Sequence, residues 1–395
     1  MKTKILFLLL IIFLIVITFF SACKDAIFYH ISQEIEIVPP MIEGSPTNIE
    51  LFNGRVYVAS GKKLFSYRKT DISGERNWRT EKSPGIYIGQ LAATENYLYA
   101  LCYDDNSAVI KRLDTSRQWE DVLKNVDNTE YRKIQKIYSA NNKLYIGAQK
   151  SNENDYAVHV MTSNGVFEER DFITGISKSS LMGACFNGTD VFLCTGSGIY
   201  INDNDDPIEN SGKDFNGIIT LDDSTVVAIT RKGSLFMVET AKLVDDPDNA
   251  GQQIEQPAVT KITNFSDGRY TTGAIALWQE NASSANWLLL VGRTEIEYST
   301  STGHSYGYME LELSQTGGLD SEKTFTEPGK SDITTVQGYE SYSSSMGAIP
   351  INSIYHVPID IDDEMRIFAS TQKDGVWSCK PVKSGGYGWN AETKN

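Results

Sequence analysis

The chain has 395 residues, with 51 acidic against 36 basic side chains and a formal charge of −15. A surface of that sign repels phosphate backbones, which argues against nucleic acid as a partner. At 41% apolar residues the length suits one large packed domain and requires no second one.

Lys2 and Lys4 precede an unbroken apolar run from Ile5 to Ile17, followed by Thr18-Phe19-Phe20-Ser21-Ala22-Cys23. A charged start, a short apolar core and small residues before a cleavage point make a signal peptide. The run is shorter than the roughly 20 residues of a membrane-spanning helix. Phe20-Ser21-Ala22-Cys23 resembles the lipobox of bacterial lipoproteins. That resemblance implies that residues 1–22 are removed, that the Cys23 thiol carries the lipid, and that a membrane of the bacterial envelope is the first partner. The periplasmic face and the outer surface remain open alternatives. Cleavage leaves 373 residues and, with both lysines gone, a charge of −17.

Residues 23–45 read as a lipidated linker, and a repeat begins at about residue 46. Its unit is an apolar run, a tight Asn/Gly/Asp turn, an alternating strand centred on an aromatic, a polar loop and another short strand. The first copy is Ile49-Glu50-Leu51-Phe52, the turn Asn53-Gly54, then Arg55-Val56-Tyr57-Val58-Ala59-Ser60. The phrase returns around Tyr99, Tyr145, Phe192, Val227, Leu289 and Phe368, after Glu95-Asn96, Asn141-Asn142, Asn187-Gly188 and Asp222-Asp223 where the turn is clear. The steps between centres are 42, 46, 47, 35, 62 and 79 residues. A period near ~40 to 50 residues predicts an all-β propeller of four-stranded blades, seven by this count, with insertions in the last two intervals. Tyr57, Tyr99, Tyr145, Phe192 and Phe368 are then equivalent core positions between blades.

A polar stretch at about 314–347 interrupts the last interval and is read as a surface excursion, with a hidden eighth blade as the alternative. Two segments could supply the outermost strand of the last blade: Glu34-Ile35-Glu36-Ile37-Val38, or the tail around Tyr387-Gly388-Trp389. Cys102, Cys185, Cys194 and Cys379 each lie in a strand-like apolar run without C-x-x-C pairing, which reads as buried thiols rather than a disulfide framework.

Gly61-Lys62-Lys63-Leu64-Phe65-Ser66-Tyr67, running to Ser73-Gly74 and Trp78, resembles the repeat of pyrroloquinoline-quinone-type propellers. Gly196-Ser197-Gly198-Ile199-Tyr200 and Asp374-Gly375-Val376-Trp377 resemble the strand that precedes an Asp-box in sialidase-like propellers. Neither continues into the box. The mixed resemblance implies a propeller fold and carries over no active site.

No catalytic constellation emerges. His30, His159, His304 and His356 are scattered without ligand spacing, and Asn202-Asp203-Asn204-Asp205-Asp206 runs into Pro207 without the glycine and distal glutamate of a calcium loop. No cofactor, metal site or catalytic residue is expected. The leading expectation is a non-enzymatic propeller that binds another envelope protein or a peptide. A sialidase-like or other hydrolytic propeller is one alternative, and a surface lipoprotein binding a host ligand is another. In a propeller the turns joining first and second strands open on one side, and those joining second and third strands on the other. The second set reads as longer and more varied, so recognition is assigned there, to Tyr103, Asp104, Asp105, Lys150, Asn152, Glu153 and Asp155.

Overall fold

A computed structural model describes residues 40–392 except 70–75, 105–106, 125–130, 151–154, 163–166, 178–180, 203, 205, 209–213, 246–252, 265–269, 280–286, 297–307, 314–333, 337–338, 342–348, 358–365 and 382–386. The described secondary structure is all β. Blade 1 holds β1 (Glu50–Phe52), β2 (Arg55–Ser60), β3 (Lys63–Lys69) and β4 (Arg76–Glu81). Blade 2 holds β5 (Tyr87–Ala93), β6 (Leu98–Asp104), β7 (Ser107–Leu113) and β8 (Trp119–Lys124). Blade 3 holds β9 (Tyr131–Ala140), β10 (Lys143–Lys150), β11 (Asp155–Met161) and β12 (Phe167–Ser177). Blade 4 shows β13 (Leu181–Phe186), β14 (Val191–Thr195) and β15 (Ile199–Ile201). Blade 5 holds β16 (Phe215–Thr220), β17 (Thr225–Thr230), β18 (Ser234–Asp245) and β19 (Gln253–Asn264). Blade 6 shows β20 (Tyr270–Gln279), β21 (Trp287–Ile296) and β22 (Tyr308–Leu313). A separate hairpin pairs β23 (Thr334–Val336) with β24 (Tyr339–Ser341), and blade 7 holds β25 (Ile351–His356), β26 (Ile367–Thr371), β27 (Val376–Pro381) and β28 (Tyr387–Ala391). Every blade is an antiparallel meander in chain order.

The seven repeat centres all fall on the second strand of a blade. These strands are apolar at consecutive central positions because both of their faces are covered. In β2 Tyr57 and Ala59 face blade 2, while Val56 and Val58 face blade 7. The same alternation places Tyr99, Tyr145, Phe192, Val227 and Phe368 against the next blade round the ring. All five aromatic centres are at most 2% exposed. The sixth copy differs by one residue. Leu289 faces back to blade 5, and its neighbour Leu290 takes the place toward blade 7, since a strand's side chains change face at every residue.

The turns follow from residue chemistry. Asn53 and Gly54 have φ of 47° and 68°, and Asn141 and Asn142 have 45° and 56°, the double positive φ of a two-residue hairpin whose twist matches its strands. The 62-residue step is filled by lengthening the outer hairpin of blade 5, whose β18 and β19 each span 12 residues.

Blades 6 and 7 pack directly on each other: Ala274, Leu290 and Tyr308 meet Ile351, Ile367 and Trp389, and the Trp389 indole donates to the Tyr308 hydroxyl at 3.1 Å. Among the described residues no eighth blade separates them. The tail supplies the last strand, since β28 pairs with β27. Glu34–Val38 lies outside the described residues. Segment 41–44 instead seals the seam between blades 7 and 1. Met41 N–H donates to Glu392 O, Gly375 N–H donates to Gly44 O, and buried Ile42 packs with Phe368 and Val376. Gly375 has φ of +72°, and a Cβ there would lie 2.1 Å from Ile42 O. Gly375→Ala therefore costs about 2–4 kcal/mol through strain and overlap. Thermal unfolding tests this, and an unchanged midpoint would show that the seam tolerates a side chain.

Candidate functional site

The innermost strands leave a channel of about 440 Å³ along the ring axis. All seven blades line it, blade 1 through residues 45–48 just before β1. The other six inner strands carry a bulge facing the channel, stepping out of register between Ile88 and Gln90, Ile134 and Lys136, Leu181 and Gly183, Phe215 and Gly217, Thr272 and Ile275, and Ile351 and Ser353. Bulges re-aim side chains and strand direction, and here they recur at one level of the ring.

Side-chain amides join neighbouring blades around this level. The Asn48 amide donates to Leu91 O at 2.8 Å and accepts from Leu91 N–H at 2.9 Å. Gln90 repeats the arrangement one blade on, donating to Ile137 O at 2.6 Å and accepting from Ile137 N–H at 3.1 Å. Asn352 donates to Pro46 O at 3.1 Å across the seam. These contacts satisfy backbone groups that strand pairing cannot reach between blades.

Glu50 accepts a hydrogen bond from the Asn48 amide at 2.7 Å, and burial pushes its carboxyl up to about 8. Burial also raises the nearby Tyr138 phenol and lowers the Lys136 ammonium, both of which line the channel. For Glu50 the folded pKa lies above its ordinary 4.5, so the fold favours the protonated carboxyl. The contribution of Glu50 to stability is therefore most favourable below the ordinary carboxyl value and declines as pH rises from there through about 8. Glu50→Gln is expected to gain on the wild type over that window, by a few kcal/mol at most given the carboxyl's partial exposure. Urea midpoints of both proteins from pH 5 to 9 check this, and parallel curves would refute it.

Tyr87 stands at the channel mouth, 48% exposed. It pairs in register with Tyr103 at the end of β6, and their ring centroids are 6.4 Å apart. Gly89 makes room for this pair, because a Cβ there would lie 2.3 Å from Tyr103 Cε2. Asp104 is exposed beside it and pairs with Ser107. The β6–β7 connection is thus two residues long, correcting the expectation of a longer loop from Tyr103 to Ser107. The β2–β3 turn at Gly61-Lys62 is equally short. Lys150 ends β10 and Asp155 opens β11 on the same side of the ring. Asp105, Asn152, Glu153 and Cys23 lie outside the described residues.

The tight-turn face holds a second depression of about 490 Å³ lined by blades 1, 2 and 3 and by Phe186 of blade 4. Two of its turns are tied together: Glu95 N–H donates to Asn142 Oδ1 at 2.9 Å, and the Asn142 amide donates back to Glu95 Oε2 at 3.1 Å.

The remaining sequence candidates are structural where they are described. Asn202 has φ of 51°, accepts from Val191 N–H at 3.0 Å and donates to Asp190 at 2.8 Å, so it shapes a turn. Asp222 accepts from Ser224 N–H at 2.9 Å in another turn. His159 is buried on β11 and His356 half-buried at the end of β25. Cys102 and Cys185 are free thiols whose pKa burial pushes up to about 12. Among the described residues no group of three metal-ligating side chains converges.

Compared with known proteins, the chain matches no family model and no curated protein. Solved structures match it in shape. A putative 6-phosphogluconolactonase from Bacteroides uniformis aligns with a TM-score of 0.53 at 13% identity, over 89% of this chain and 96% of that one. A putative 6-phosphogluconolactonase from Bacteroides fragilis aligns at 0.52 and 10% identity, over 89% and 95%. A chain of the mitotic checkpoint complex aligns at 0.50 and 8%, over 88% and 93%. The chain is a β-propeller. At these identities the likeness is one of fold, and the propeller's function has to be argued from its own channel and faces.

Proposed function

We propose that this propeller is a lipid-anchored protein of the bacterial envelope that binds another envelope protein, or a peptide segment of one, on the channel-mouth face without chemistry of its own. The observation that carries this reading is the exposed Tyr87 ring, backed by Tyr103 and Gly89 at the opening of the axial channel. A large aromatic held by neighbouring strands offers contact area at low entropic cost, and such residues anchor interfaces. The described residues lining the channel include no arginine and no carboxylate, the pair that a sialidase-like hydrolysis would call on.

Two measurements test the proposal. Cys23→Ala is expected to move the protein from the detergent phase to the aqueous phase, because an acyl chain contributes about 0.8 kcal/mol per buried CH₂. Retention in detergent would make the apolar N-terminal segment an uncleaved anchor. Capture of partners from solubilised membranes is expected to fall at least tenfold with Tyr87→Ala or with Gly-Ser replacement of the 150–155 connection. Capture that survives both and fails when Asn53-Gly54 or Glu95-Asn96 is altered would move the binding face to the tight-turn side.

A further inference from the structure

Among the described residues lining the channel, one carries a charge, Lys136. Lys136 lines it from the bulged part of β9, and its ammonium reaches channel water. No described residue hydrogen-bonds or ion-pairs with it, and no described residue lining the channel carries a carboxylate. The chain has 51 acidic side chains, so a carboxylate at this place was within easy reach of the sequence. Lys136 is exposed rather than enclosed, so its ammonium is open to an anion that enters the channel. The rest of the described lining is neutral: the amides of Asn48, Gln90 and Asn352 are engaged in joining blades, and blades 4 to 6 contribute small groups such as Gly183, Gly217 and Gly273.

We infer that the channel is a receptor for a single carboxylate, with Lys136 as its counter-ion and Tyr87 covering the carbon frame that bears it. One ammonium balances one negative charge, which suits a carboxylate better than a phosphate dianion, for which a second cation would be wanted. A volume of about 440 Å³ accommodates a small molecule or the last residues of a peptide. Entry is past the Tyr87–Tyr103 pair, so the inference rests on the channel mouth being the binding face and adds the chemistry that is read there.

The carboxylate could belong to a peptide's C-terminus or to a free organic acid, and paired probes distinguish them. The detergent-solubilised full chain is titrated by calorimetry with N-acetyl-Gly-Ala-Phe and its C-terminal amide, and separately with glucuronate and glucose. The expected result is that in one pair the acid binds at least tenfold more tightly than its neutral counterpart. Lys136→Met, with an unchanged melting temperature, abolishes that preference, and Lys136→Arg keeps part of it. Preference within the peptide pair assigns the carboxylate to a chain terminus; preference within the sugar pair assigns it to a free acid. Equal binding of acid and neutral probes, a preference that survives Lys136→Met, or no binding of either acid at millimolar concentration overturns the inference. Partner capture by the wild type is measured alongside. Wild-type protein that captures partners but shows no carboxylate preference sinks this inference and leaves the binding-face proposal standing, whereas a preference without capture keeps the carboxylate site and removes that proposal.

Discussion

Phe368→Ala is expected to destabilise the propeller by about 3–5 kcal/mol, the usual cost of emptying a fully buried phenylalanine site. Phe368 is completely buried, and its ring lies edge-on to Tyr67 at 4.9 Å and to Trp78 at 5.0 Å. Those partners belong to blade 1 and Phe368 to blade 7, so the cavity opens at the seam where the two ends of the chain meet. Strand pairing cannot heal it, because the ladders run within blades. Phe192→Ala, between blades 4 and 5, is the matched control with the same side chain and burial away from the seam. Urea unfolding measures both. A loss under about 1 kcal/mol at either site would break the assignment of these residues as equivalent inter-blade positions.

Glu81→Ala is expected to cost a similar amount, about 3–5 kcal/mol, by stranding a buried charge. The Glu81 carboxylate accepts from the Arg55 guanidinium at 2.8 Å and from the Ser66 hydroxyl at 2.6 Å, with side-chain exposures of 11% for Arg55 and 15% for Glu81. Blade 7 repeats the motif: Arg366 stands two residues before Phe368 as Arg55 stands before Tyr57, and Ser378 and Glu392 complete it. The blades on either side of the seam thus share one polar tie from second strand to fourth. Removing both charges in Arg55→Ala/Glu81→Ala is expected to cost less than the two single losses added together, since neither ion is left alone. Additive losses in that double-mutant cycle would show that the ion pair contributes nothing of its own.

Much of this architecture is written in short-range patterns. Asn53-Gly54 and Asn141-Asn142 form hairpins because their side chains tolerate the positive φ that a two-residue turn demands. The apolar runs around Tyr57, Tyr99, Tyr145, Phe192, Val227 and Phe368 mark second strands because only a strand covered on both faces is apolar at consecutive positions. Where that pattern is uniform it loses its phase. Leu288-Leu289-Leu290-Val291 has no polar residue to say which face is which, and Leu290 rather than Leu289 proved equivalent to the aromatics.

The channel was harder to read. Asn48, Gln90, Lys136, Gly183 and Ile218 each stand nine residues before a repeat centre, an offset that could have flagged the inner strand. Beyond the shared amide of Asn48 and Gln90 their chemistry differs, because each answers to a different neighbouring blade.

The sequence by itself determined the all-β repeat, its seven visible copies, the tight turns and the aromatic positions between blades, since these depend on residues adjacent in the chain or on one side chain's size. Tertiary structure alone decided which segment closes the ring, that Tyr87 and Tyr103 meet at the channel mouth, and that Lys136 is the one charged side chain among the described residues lining the channel. Those outcomes depend on strands brought round a circle from far apart in the chain, and no local periodicity encodes which side chains converge on the axis.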